Sequence, residues 1–258
     1  MTSNPTIRVA VTNHIMTITM DRPDVLNALD PSSHHQLGEA LDRFAADDDL
    51  RVAIITGAGD RAFCVGSDLK VRSEMGGDDM PPSGFGGMAE RFGLLKPVIA
   101  AVNGHAIGGG LELVLACDMA ISVPHAKFGL PEVKVGLAAA GGLHRLARQL
   151  PLKHAMEIAL GGNLFDAAQA KEYGLINRVV AAEDLSSTVA KLAEGLLDCA
   201  PMSLRATKQM MIEGLSQPSL DAAFGAEYRA YNAMLTSEDA KEGSEAFLER
   251  RKPDWKNR

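Results

Sequence analysis

An α/β fold that passes into an all-helical C-terminal region is the architecture this chain predicts. Short apolar runs alternate with helical patterns as far as Val180, and from Ala181 onward only helical periodicity remains. A composition of 46% hydrophobic and 23% charged residues over 258 residues is that of an ordinary globular protein with a sizeable core.

Ile7 to Val11 and Ile15 to Met20 alternate around Thr12-Asn13-His14, which reads as a β-hairpin. Asp30-Pro31 supplies an N-cap with proline at the first helical position, and Leu37, Leu41 and Phe44 share one helical face. Arg51 to Thr56 and Pro97 to Val102 are continuous apolar runs of the kind buried on both faces of a parallel sheet. Between them, Gly76 to Gly87 reads as a mobile surface loop able to serve as a lid. Leu111 to Cys117 predicts a buried helix, Met119 to Val123 a strand, and Leu175 to Val180 another. Asp166 caps a short helix that Gly174 ends, Pro201 and Gln217-Pro218 break the C-terminal helices, and a capping box at Thr236 and Asp239 opens the last one. No internal sequence repeat is evident.

The formal net charge of −7 and pI of about 5.5 leave no general basic field for a phosphate backbone, which argues against nucleic acid as the main partner. A local basic patch remains compatible with an anionic small ligand. Three scattered cysteines, Cys64, Cys117 and Cys199, form neither a disulfide framework nor a CxxC metal site. The start of the chain, Met1 to Thr6, lacks the pattern of a secretory leader, and no apolar run reaches membrane-spanning length. The expectation is a cytoplasmic protein with no membrane association.

Two glutamates carry the strongest chemical signal. Glu112 closes Asn103-Gly104-His105-Ala106-Ile107-Gly108-Gly109-Gly110-Leu111-Glu112, and Glu132 closes Phe128-Gly129-Leu130-Pro131-Glu132. Isolated glutamates are ordinarily solvated, but Glu112 sits inside an apolar stretch, where burial raises a carboxyl pKa. Glycines beside it bring peptide N–H groups close to a ligand, and two neighbouring carboxylates can divide acid and base roles. Gly57-Ala58-Gly59-Asp60-Arg61-Ala62 matches a dinucleotide-binding turn, yet the residues after it are poor helix formers, so it reads as a structural turn. Gly66-Ser67-Asp68 presents polar backbone from a turn. His105 and His144 lack metal-ligand or triad partners, and Cys64 reads as a packed thiol.

Arg22 to Leu29, Ala62 to Leu69, Asn103 to Glu112, Phe128 to Glu132 and Arg250-Arg251-Lys252-Pro253 occur in the order that resembles the crotonase, or enoyl-CoA hydratase, superfamily. The resemblance spans nearly the whole chain. It implies a spiral of repeated strand-strand-helix turns in residues 1–195 and a helical region in 196–258 that builds trimers, often paired as hexamers. It implies an acyl-CoA whose thioester oxygen is held by the N–H groups of Ser67 and Gly109, with Glu112 and Glu132 activating water and Glu132 delivering a proton to Cα. Val25, Asp68, Leu69 and Lys70 match positions near CoA, while Phe247 and Arg250 match positions that reach a neighbouring subunit's ligand. No metal or redox cofactor is implied.

Three positions depart from that pattern. Asp24 stands where a basic residue is frequent, which leaves the CoA phosphates to Arg22 or Lys70. Leu130 replaces a glutamine, a change expected to raise the pKa of Glu132. Gly136-Leu137-Ala138-Ala139-Ala140-Gly141-Gly142 is one residue short of the common loop, which points to an unusual acyl group. The expected activity is enoyl-CoA hydration. An isomerase, a dehydratase of a carnitinyl, branched or aromatic acyl-CoA, and a non-catalytic RNA-binding protein of the same fold are the alternatives.

Overall fold

The computed structural model of the protein describes residues 5–77 and 79–258. Most of the N-terminal segment read above for a leader, and Asp78 of the 76–87 segment, lie outside the described residues. Strands β1 (Ile7–Thr12) and β2 (Ile15–Met20) form the expected hairpin. Asn13 and His14 in its turn take positive φ values of 47° and 66°, as a hairpin turn matched to strand twist requires. The register buries Met16, Ile18 and Met20. Helix α1 (Pro31–Ala46) starts where Asp30 accepts a hydrogen bond from the Ser33 N–H at 2.8 Å, a cap worth ~1 kcal/mol. Leu37, Leu41 and Phe44 are fully buried along it, each contributing ~1.5–3 kcal/mol of transfer free energy.

Three strand-strand-helix turns follow. The first is β3 (Val52–Gly57), β4 (Ala62–Cys64) and α2 (Leu69–Met75). The second is β5 (Val98–Val102), β6 (His105–Ile107) and α3 (Gly109–Ala116). The third is β7 (Met119–Ser122), β8 (Lys127–Gly129), a 3₁₀ turn (Pro131–Val135) and α4 (Leu143–Gln149). In each, the first strand joins one sheet, ordered β1-β2-β3-β5-β7 with all pairs after the hairpin parallel. The second strand joins another, ordered β4-β6-β8 and also parallel. After α5 (Leu152–Gly161), β9 (Phe165–Asp166) closes the second sheet; α6 (Ala167–Glu172) and β10 (Arg178–Val179) then complete the first. This is the α/β spiral of ββα units that the resemblance implied. The core lies between the layers, with Phe44, Phe63 and Phe128 among its largest fully buried side chains.

The remaining elements are α7 (Leu185–Leu197), α8 (Pro201–Gly214), α9 (Leu220–Gly225), α10 (Arg229–Leu235) and α11 (Glu238–Glu249), so the chain beyond Ala181 is helical as read. Among the described residues no helix is long and apolar enough to cross a membrane.

Several expectations need correction. The strand read over Leu175 to Val180 pairs only at Arg178 and Val179, because Leu175 and Ile176 turn inward to the core. Helix α3 begins at Gly109, not Leu111. The cap of α11 is Ser237, whose hydroxyl accepts from the Ala240 N–H, not Thr236. The segment read as a mobile surface loop is buried in its second half: Phe85, Gly86 and Gly87 form a 3₁₀ turn, Gly86 donates to His34 Nδ1 at 3.0 Å, and Gly87 lies against Gly38 of α1. The dinucleotide look-alike is a turn into β4, as expected. A Cβ on Gly57 would lie 2.5 Å from the Ala62 carbonyl oxygen, so glycine there serves close packing.

Candidate active site

A cleft of about 650 Å³ opens where the first turns of α2 and α3 meet the 3₁₀ turn and the loop before α4. It brings together Val25, Ser67, Asp68, Leu69, Gly109, Glu112 and Glu132 of the residues singled out in the sequence. Lys70 is exposed on α2, and Phe247 and Arg250 are exposed at the end of α11; none of these three lines the cleft.

Ser67 is held by a short parallel bridge to Leu29. The Leu29 N–H donates to Gly66 O at 2.9 Å and the Asp68 N–H donates to Leu29 O at 2.8 Å. Successive peptide groups of an extended segment face opposite ways, so the intervening Ser67 N–H points away from Leu29. Gly109 is the first residue of α3, where an N–H has no partner within the helix. Among the described residues, neither the Ser67 nor the Gly109 N–H has an acceptor. The two peptides approach closely, since a Cβ on Gly66 would lie 3.3 Å from Gly109 N. Glycine is required at 109 and 110 by packing: a Cβ would fall 2.3 Å from the Phe85 ring in the first case and onto the Cys64 carbonyl in the second. The glycine run therefore lets α3 start against β4 and the Phe85 turn, with two N–H groups left for a ligand.

Glu112 follows in the first turn of α3 and is only 5% exposed. Burial, and then the Glu132 carboxylate, push its pKa up to about 7, against the opposing effect of the Gly142 and Gly141 N–H groups and the Arg145 guanidinium. Its Oε1 is buried without a partner. Glu132 is half-buried in the 3₁₀ turn, its Oε2 also unpartnered, and burial holds its pKa above the ordinary carboxyl range. Leu130 beside it is 1% exposed and supplies apolar surface where a hydrogen-bonding side chain was missing from the sequence. The pair can thus hold one proton near neutrality and exchange it with a ligand, the condition for paired acid and base work.

Arg22 is not available to a phosphate. Its guanidinium donates to Ala28 O at 2.6 Å and pairs with Asp68 at 3.0 Å and Asp30 at 3.2 Å, which makes Arg22 and Asp68 a brace under the Ser67 bridge. Asp24 is exposed in the 3₁₀ turn Pro23–Val25. Sequence reasoning missed Arg72, Phe85, Glu90 and Lys134, which also line the cleft, and Arg145 behind it. Arg145 donates to Ala89 O and, at 3.5 Å, to Gly141 O, fixing the shortened loop whose N–H groups face Glu112. The glycine cluster Gly84-Phe85-Gly86-Gly87 was the available signal for close packing there. His105 accepts from the Lys127 N–H and Cys64 is fully buried, with burial pushing its thiol up to about 12; both are structural, as read. Among the described residues no cluster could hold a metal ion.

Two sheets wound by strand-strand-helix turns, with a cleft at the helix N-termini, define a crotonase-type enzyme acting on CoA thioesters. The chain belongs to the enoyl-CoA hydratase/isomerase family, whose profile matches residues 10–258. It is 41% identical over 251 residues to a carnitinyl-CoA dehydratase of Proteus mirabilis, covering 95% of each chain. The structure is similar to that of an enoyl-CoA hydratase from Mycobacterium tuberculosis, with TM-score 0.92 and 38% identity over 99% of this chain and 100% of the other. It also matches a carnitinyl-CoA hydratase from Mycobacterium avium, with TM-score 0.78 and 40% identity over the same shares of the two chains. The family and these relatives make it a hydratase or dehydratase of the lyase class.

Proposed function

We propose that the protein reversibly dehydrates a 3-hydroxyacyl-CoA, with carnitinyl-CoA, for which several relatives are named, as its substrate. The observation that carries this reading is the pairing of Glu112 and Glu132 in one cleft beside two acceptor-free N–H groups. In the dehydrating direction, Glu132 takes the Cα proton and the thioester oxygen gains charge against the Ser67 and Gly109 N–H groups. The Cα electron pair then forms the double bond as the C3–O bond breaks, and Glu112 protonates the departing hydroxyl, releasing water. Hydration runs the same steps backward. Coenzyme A enters only as part of the substrate, and the chemistry requires no metal or redox cofactor. An isomerase needs a single shuttling carboxyl, so the buried Glu112 favours water chemistry.

Residues 196–258 are proposed to assemble a homotrimer, alone or paired as a hexamer, in which Phe247 and Arg250 reach a neighbour's CoA and Lys70 flanks the ligand's mouth. Supporting this are exposed apolar side chains on the C-terminal helices, among them Leu215 at 74%, Leu220 at 75%, Phe224 at 85% and Phe247 at 83%.

The test is a panel of 3-hydroxyacyl-CoA and enoyl-CoA thioesters, including carnitinyl-CoA, with products identified by mass. Wild-type protein should turn over the carnitinyl substrate best, and Glu112→Gln or Glu132→Gln should each lose activity by about 10²-fold or more. Full activity in both variants would overturn the mechanism.

A further inference from the structure

The cleft holds a carboxylate that the proposed chemistry does not use. Glu90 lines it together with Glu112 and Glu132. It extends from the Phe85 turn, which is packed rigidly against α1, and its side chain folds back over Gly84, whose absent Cβ would lie 2.9 Å from Glu90 Cγ. Gly84 has a φ of 77°, so the glycine both permits the turn and makes room for the glutamate. The preceding Ala89 lies against Gly141, at the same spot that Glu112 Oε2 approaches, so Glu90 follows directly on a contact of the shortened Gly136–Gly142 loop. Among the described residues the Glu90 carboxylate has neither a hydrogen bond nor an ion pair. Arg145, which interacts with it electrostatically, directs its Nη1 to the Ala89 and Gly141 carbonyls and lies over the Phe92 ring.

A quaternary ammonium has no N–H to donate, so a protein recognises it by negative charge and by aromatic or apolar surface. Glu90 supplies the first, Phe85 and Ala140 of the same cleft the second. We propose that Glu90 is the specificity-determining residue for a cationic acyl group, its carboxylate facing the trimethylammonium head of the substrate. This rests on the carnitinyl reading above, and it assigns the charge selectivity of that reading to one side chain that takes no part in the proposed proton transfers.

The experiment compares kcat/KM for carnitinyl-CoA with that for the neutral isostere in which a tert-butyl group replaces the trimethylammonium. The ratio of the two cancels active-enzyme concentration and folding losses. Wild-type protein should prefer the cationic thioester, Glu90→Gln should lower the preference about five- to tenfold, and Glu90→Lys should lower it further by like-charge repulsion. A wild-type enzyme that prefers the cation while both variants keep the same ratio would overturn the role of Glu90 alone. A wild-type enzyme that does not accept the cationic thioester would overturn the carnitinyl reading and this inference with it.

Discussion

Replacing Glu112 by glutamine should make the protein more stable in alkaline than in acidic solution relative to wild type. Burial and the neighbouring Glu132 raise the Glu112 pKa from 4.5 to about 7. A shift of that size corresponds to ~3.4 kcal/mol favouring the protonated form in the native state. Below pH 4.5 both folded and unfolded chains hold the proton, so native and unfolded states differ by nothing on this account. Between 4.5 and about 7 the native state binds more protons than the unfolded state, so stability falls as pH rises; above about 7 the full penalty is in place. Integrated from about pH 5 to about pH 8, the wild type loses ~2.5 kcal/mol through this group, a loss the isosteric variant does not suffer. The Gly141 and Gly142 N–H groups favour the ionised form, and that effect is already contained in the net shift to about 7. Urea unfolding of both proteins at matched protomer concentration and several pH values measures the difference directly. A stability difference that stays flat across that range would refute the buried, proton-holding Glu112.

Gly109→Ala should reduce kcat by about 10²-fold or more, because its Cβ would strike the Phe85 ring 2.3 Å away and displace the Gly109 N–H; a near-wild-type kcat would dismiss that N–H as an oxyanion donor. Arg145→Met removes a cation that lowers the Glu112 pKa, so the limb of the pH-rate profile governed by Glu112 should move to higher pH. An unmoved limb would detach Arg145 from the site. Iodoacetamide should label Cys199, which is exposed, and spare Cys64 and Cys117, both buried with thiols raised by desolvation, so mass spectrometry of the native protein should find a single adduct.

Elements fixed by local pattern could be read directly from the chain. The hairpin around Asn13-His14, the Asp30 cap and the apolar runs of β3 and β5 appear in the structure close to where periodicity put them, because each is decided within a few residues. The second sheet was invisible to local periodicity and was implied only by the family resemblance. Its parallel strands Ala62–Cys64, His105–Ile107 and Lys127–Gly129 are three residues long, too short for any period to show, and they exist only because the first sheet carries them side by side. The 76–87 segment failed for a related reason: its glycines read as turn formers, whereas Gly86 and Gly87 are glycines because α1 and α3 pack onto them.

Local sequence was enough to mark Glu112 as a carboxyl in apolar surroundings with glycines beside it. Motif order, through the family resemblance, paired it with Glu132. Nothing short of the folded contacts reveals that Arg22 is consumed by Asp30 and Asp68, that Phe85 and Glu90 enter the cleft, or that the Ser67 and Gly109 N–H groups paired by the resemblance have no acceptor of their own. Side-chain type and local spacing are properties of neighbours along the chain. The direction of a peptide N–H and the company of a charge depend on which distant segments the two sheets bring into contact.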